Sequence, residues 1–146
     1  MTRKHPLLTL LTLVVVAACG GGAAATAAPT TVNFAMAAQN GSSATGTGRV
    51  VESSGTFTIT VKLTGLVPGS IHVSHIHAGK CTAPGGIAYA LQSVVADSAG
   101  SATATSTIPV GYAIPVSGWY VNVHHGPDFT EPGYAPSDSC GDMPAK

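Results

Sequence analysis

Residues 56–63 alternate without a fault. Phe57, Ile59, Val61 and Leu63 are apolar, and Thr56, Thr58, Thr60 and Lys62 between them are polar. Successive side chains of a strand point to opposite faces, so a period of two gathers the four apolar groups on one face. A helix would scatter the same residues around its axis, and the β-branched content favours a strand as well. Gly65 and Pro68-Gly69 end the run. Further strand candidates are 31–38, 46–53, 70–78, 91–97, 101–108 and 118–124, separated by turn chemistry such as Asp97-Ser98-Ala99-Gly100. The segment 82–90 reads as a connection, and everything after Gly126 as loop apart from a short piece around Cys140. Helical periodicity is absent from the region beyond the N-terminal segment. Short strands at this spacing predict an all-β domain, a sandwich or barrel.

Charge narrows the function classes. Only 8% of the 146 residues are charged, with six Lys+Arg balancing six Asp+Glu, where about a quarter is usual. That is too little for charge-driven disorder, and it leaves no basic stripe for nucleic acid. A hydrophobic content of 45% supports a core, and the length suits one domain.

The N-terminal segment reads as an address. Arg3 and Lys4 precede the apolar run Leu7 to Val16, which is signal-peptide architecture, too short for a spanning helix. Val16-Ala17-Ala18-Cys19-Gly20 resembles the bacterial lipobox, which implies lipidation of Cys19. The alternative is an ordinary signal peptide cut nearby, with Cys19 incidental. The expected organisation is a signal peptide over 1–18, a lipidated Cys19 with a flexible tether over 19–30, and a β domain over 31–146. The expected location is extracytoplasmic, on the bacterial cell envelope, with the membrane touched through the lipid alone. Without the leader, four basic residues (Arg49, Lys62, Lys80, Lys146) face six acidic ones. With Cys19 acylated, Cys81 and Cys140 remain as a pair, and an oxidising compartment favours their disulfide. At a separation of 59 residues it stabilises by about 4 kcal/mol in the loop-entropy model. Two free thiols are the alternative.

Five histidines lie in the β domain, as His72, His75, His77 and as His124, His125. In His75-Ile76-His77 the two imidazoles share a strand face about 7 Å apart, from two strand rises, so they can converge on one metal ion. In Trp119-Tyr120-Val121-Asn122-Val123-His124 the apolar Trp119, Val121 and Val123 point to the core, which sets His124 on the outer face. His75, His77 and His124 therefore form a candidate site for copper or zinc at the solvent-accessible face. Such binding weakens as pH falls through the sixes, where free imidazole takes up its proton. The alternative is a polar patch kept for packing and hydrogen bonding. His72 has the opposite parity and reads as a buried structural histidine; His125 reads as an exposed neighbour or a fourth ligand. Trp119 and Tyr120 are assigned to core and rim, and Asp128, Glu131, Asp138 and Asp142 to solvated loop charge.

Leu63 to Gly69 followed by Ile71 to His77 resembles the copper-site segment of the Cu,Zn superoxide dismutases. Cys81, Leu91-Gln92-Ser93-Val94-Val95-Ala96-Asp97, Val123 to Asp128 and Cys140-Gly141 follow in that family's order. The resemblance implies a Greek-key β-barrel of the dismutase type, copper ligands at His75, His77 and His124, and a Cys81–Cys140 disulfide. It also implies what is missing. No histidine stands between His77 and His124 to bridge metals, Ala90 occupies the zinc aspartate's place, 82–90 leaves no room for a zinc loop, and Ser137 replaces the active-site arginine. Copper without zinc is the expected cofactor.

Gly65-Leu66, Ser74-His75-Ile76-His77-Ala78-Gly79 and Trp119 to His124 also resemble the chordin-type (CHRD) domain, a β-rich extracellular module with no established common activity. The YVNVH string points to this family, the cysteines and LQSVVAD to the dismutases. The expected function is an extracytoplasmic copper lipoprotein, with copper or superoxide as its small-molecule partner and slow dismutation at best. The alternative is a non-catalytic CHRD-type binding module or copper-handling protein whose protein partner the residues do not identify.

Overall fold

The computed structural model describes Met1 and residues 28–146. They form the strands β1 (Thr30–Ala38), β2 (Thr45–Ser53), β3 (Thr56–Thr64), β4 (Ile71–His72), β5 (Ser74–Lys80), β6 (Ala83–Ala90), β7 (Val94–Val95), β8 (Ala102–Ile108), β9 (Trp119–His124) and β10 (Ser137–Met143). A single 3-10 turn spans Pro132–Tyr134, and no α-helix occurs among the described residues. None of their helices is long and apolar enough to cross a membrane. The signal peptide and the lipidation of Cys19 lie outside the described residues.

Eight strands make one antiparallel sheet in the order β6-β5-β9-β10-β1-β2-β3-β8, and β4 pairs with β7 as a separate ribbon. The sheet starts from two tight hairpins. Asn40 and Gly41, then Ser54 and Gly55, all adopt positive φ, the backbone that matches the right-handed twist of the flanking strands. β3 behaves as its alternation demands: Phe57, Ile59, Val61 and Leu63 are buried to 2% exposure or less. Two longer connections cross the sheet, from β3 to β5 and from β8 to β9. They bring sequence-distant strands side by side, β3 with β8 and β5 with β9, in the manner of a Greek key.

The sheet curls into a half-barrel around a single core. Phe57 on β3 reaches Tyr89 of β6 and Trp119 of β9, with ring centroids 6.5 and 6.2 Å away. The Gln92 amide N–H donates to Ser106 Oγ at 2.8 Å and draws the β6 edge towards β8. Gly48 of β2 faces this core because the Phe34 ring lies over its backbone, where a Cβ would collide. Tyr112, in the crossover before β9, is buried, which pushes its hydroxyl pKa up to about 12. It stays protonated and donates to Pro144 O at 2.6 Å.

Three expectations need correction. The segment 82–90 is an edge strand, β6, and not a plain connection. The candidate 91–97 reduces to Val94–Val95, and 70–78 divides at Val73 into β4 and β5. The short piece expected around Cys140 is present as β10, which lies in the middle of the sheet between β9 and β1. The Cys81–Cys140 disulfide is present, with Cα atoms 6.0 Å apart. It ties the β5–β6 turn to β10 across β9, beside the Cys81 N–H that donates to Asp142 Oδ1 at 2.7 Å.

Candidate metal centre

β5 and β9 are hydrogen-bonded neighbours, with His75 opposite Asn122, Ile76 opposite Val121 and His77 opposite Tyr120. Ile76, Val121 and Val123 fill the core at 0% exposure. The alternate positions His75, His77, Tyr120, Asn122 and His124 therefore share the other face. There the structure brings His75, His77 and His124 together, one nitrogen from each lying within 4.8 Å of the other two. The ring centroids form a nearly regular triangle with sides of 5.7, 5.5 and 5.7 Å.

The face was legible from strand parity, but the expected solvent access is wrong. The three histidines are only 7, 8 and 6% exposed. The cause is the return of the chain after β9. Val73 N–H donates to Gly126 O (2.9 Å), His125 N–H to Pro136 O (2.8 Å) and Gly126 N–H to Tyr134 O (3.2 Å). The loop so held lays Phe129 on the site, stacked on His75 (5.7 Å, 18°) and edge-on to His124 (4.8 Å, 84°). On the far side Tyr120 stacks on His77 (5.1 Å, 23°), so Tyr120 belongs to the site and not to a rim.

Backbone carbonyls set the tautomers. His77 Nδ1 donates to Gly85 O at 3.1 Å and His124 Nδ1 to Ala135 O at 2.7 Å. A carbonyl only accepts, so each ring carries its proton on Nδ1 and keeps a lone pair on Nε2. His77 Nε2 and His75 Nδ1 are buried without any hydrogen-bond partner, a cost of about 1–3 kcal/mol for each such group. His124 Nε2 accepts from Asn122 Nδ2 at 3.2 Å, and Asn122 Oδ1 in turn accepts from Ser137 Oγ. Burial lowers the His75 pKa to about 4, and the facing His124 and His77 add to that shift. Burial also lowers His124, against the opposing pull of the Ala135 carbonyl. At both rings protons thus compete less well than at free imidazole. A copper or zinc ion requires neutral imidazole nitrogens close together, and three lie within 4.8 Å of one another here, with His124 Nε2 exchanging its Asn122 contact for the ion, so the donor set fits such a metal.

The remaining candidates separate cleanly. His72 is the structural histidine expected of it: 1% exposed, with Nε2 at 2.6 Å from Ser70 Oγ and Nδ1 donating to His124 O at 2.9 Å. His125 is not a fourth ligand, because it points away and its Nδ1 pairs with Asp138 Oδ1 at 2.9 Å. Asp138 is not solvated loop charge. The pairing of β10 buries it between His125 and His72, whose Nδ1 lies 3.3 Å from Oδ2. Asp128 caps its own turn through Thr130, and Asp142 holds the Cys81 amide.

Sequence reasoning passed over Asn122 and Phe129 and assigned Asp138 to solvated loop charge. Asn122 was within reach, since it shares the parity of His124 two positions on. Phe129 and Asp138 are placed by the returning loop and by β10, which carry no periodic signal.

A search among curated proteins returns no match. The family model of the CHRD domain matches residues 21–127, a span that takes in β1 to β9 and all three histidines of the triad. No family match supports the dismutase resemblance. With well over half of its residues inside that match, the chain belongs to the CHRD domain family.

Proposed function

We propose that this CHRD domain holds one copper ion through His75, His77 and His124, and that it does so outside the cytoplasm as a protein lipidated at Cys19. The observation that carries the metal reading is the pair of buried, unpartnered nitrogens His75 Nδ1 and His77 Nε2 within the triad. Copper is favoured over zinc by the first-row affinity order at an imidazole site. The Arg3-Lys4 start, the apolar run, the lipobox-like string and a disulfide suited to an oxidising compartment support the location.

Bound copper supplies one-electron chemistry. The surrounding residues are better suited to keeping the ion than to feeding it with substrate. Phe129 and Tyr120 cover the rings and exclude water, and Ala135 and Gly85 fix the ring orientations. Residues 126–139 carry Asp128, Glu131 and Asp138 and no Lys or Arg, so an anion such as superoxide is not drawn in. Favourable steering would raise encounter rates by about 10–10³-fold. Dismutation at this site is therefore slow, and copper handling is its principal role. Family membership favours a second reading, a non-catalytic binding module in which the histidines serve packing.

Copper titration of the wild type and of His75→Ala/His77→Ala separates the two. One equivalent bound by the wild type and none by the variant supports the copper reading; equal stoichiometry leaves the module. A copper-loaded sample that clears superoxide near the diffusion limit, with a rate that falls on adding salt, overturns slow dismutation. Mass spectrometry of the mature N-terminus tests the anchor, and an unmodified terminus elsewhere than Cys19 removes it.

A further inference from the structure

The opposite half of the sheet carries a second constellation. Strands β1, β2, β3 and β8 turn Asn33, Thr47, Arg49, Thr60 and Lys62 outward among further threonines, and no carboxylate shares their outward positions. Glu52 sits on β2 but with the inward parity, where it accepts the Tyr112 amide at 2.8 Å and pairs with Lys146. In a domain with more acidic than basic side chains, the charges that these strands turn outward are both cationic; Asp97, in the turn before β8, shares a neighbouring hollow with Lys62 but accepts from the Ala99 and Ser101 amides.

The two cations are placed together. Arg49 lies opposite Thr60, and Lys62 opposite Thr47, so Arg49 and Lys62 are diagonal neighbours on adjacent strands, about 7–8 Å apart by sheet geometry. Neither is in an ion pair among the described residues. They line a hollow of about 430 Å³ whose other walls are Asn33, Thr47 and Thr60. Every one of these side chains offers a donor. The Thr60 hydroxyl is held by Thr105 at 3.1 Å and the neighbouring Thr58 by Thr107 at 3.2 Å, so cross-strand pairs fix the β3–β8 side of the floor. Two like charges set diagonally repel each other unless an anion lies between them.

We propose that this hollow is a binding site for a tetrahedral oxyanion of the phosphate class. Arg49 supplies a planar fork for two oxygens and Lys62 a point charge, while Thr47, Thr60 and Asn33 donate to the oxygens that remain. A carboxylate holds its oxygens in one plane, whereas the oxygens of a phosphate group, free or esterified, point to tetrahedral corners and can meet donors that stand on separate strands. The site is independent of the histidine triad and stands or falls apart from the copper reading.

The test is a titration of the full chain, ¹⁵N-labelled, with inorganic phosphate and with glycerophosphoglycerol, the soluble headgroup of an anionic phospholipid. Saturable shifts centred on the amides of Asn33, Thr47, Arg49, Thr60 and Lys62 are expected, weakening with added chloride as surface charge is screened. The Arg49→Gln/Lys62→Gln variant, whose substitutions are both on the exposed face, is expected to melt with the wild type. It should bind at least about tenfold more weakly, for the loss of two charge-assisted contacts. Tighter binding of the headgroup assigns the site to a phosphodiester ligand, and equal or tighter binding of inorganic phosphate to the free ion; both support the proposal. Shifts that do not saturate, or that persist unchanged in the folded variant, overturn it.

Discussion

His75 combines a buried nitrogen without a partner with a pKa pushed down to about 4 by burial and by the facing His124 and His77. In the unfolded chain the same imidazole protonates near 6.5. Between those values the unfolded state binds a proton that the folded state refuses, so stability of the metal-free protein rises with pH and is lost as pH falls from about 6.5 towards 4. Burial of His124 acts with the same sign. Denaturant midpoints of the metal-free protein at pH 7, 5.5 and 4.5 should fall in that order. Phe129→Ala, which uncovers the His75 and His124 rings, should flatten the dependence; identical slopes in the two proteins would remove Phe129 as the cause of burial. The triad itself was legible because alternation along His75-Ile76-His77 and Trp119 to His124 fixes which way an imidazole points. Its burial was not, because the side chain that covers it comes from a loop whose path depends on Gly126, Tyr134 and Pro136.

At the scale of elements, strands are legible where the residues make the strand and not where their neighbours do. β3 has its own alternation, and its register follows. β6 contains Pro84, Gly85 and Gly86, is exposed along nearly its whole length and pairs with β5 through two irregularities. β10 reads Ser-Asp-Ser-Cys-Gly-Asp-Met, without one β-branched residue, yet lies between β9 and β1 because both offer it a ladder. The loop from 125 to 136 is likewise held by packing, with the Tyr134 ring lying against Gly126 where a Cβ would collide with it. Gly126→Ala should displace Tyr134 at a cost of about 1–3 kcal/mol, as overpacking does. It should also loosen the hold on Phe129. Chemical denaturation measures the first effect, and faster loss of bound copper to a chelator the second. An unchanged exchange rate would mean that the loop does not guard the site.

Over the whole molecule, the contacts that close the half-barrel join residues distant in the chain. Tyr112 bonds to Glu52 and Pro144, Gln92 to Ser106, and Cys81 is covalently linked to Cys140. Cys81→Ser/Cys140→Ser should lose about 4 kcal/mol of stability on the loop-entropy argument. Urea unfolding gives the value, and a non-reducing peptide map of the wild type shows the linkage itself. Non-local pairing of this kind also places folding in the millisecond-to-second range. The order of the chain adds a consequence for synthesis. A nascent chain presents His75, His77 and His124 before it presents Ala135, whose carbonyl turns His124, or Cys140, which locks β10 beside β9. Since a protein is made from its N-terminus, all three rings of the triad exist for a time without the parts that aim them and cover them. The residues that finish the cage are made after the three rings they enclose, so the triad gains its final shape only once the chain has passed Cys140.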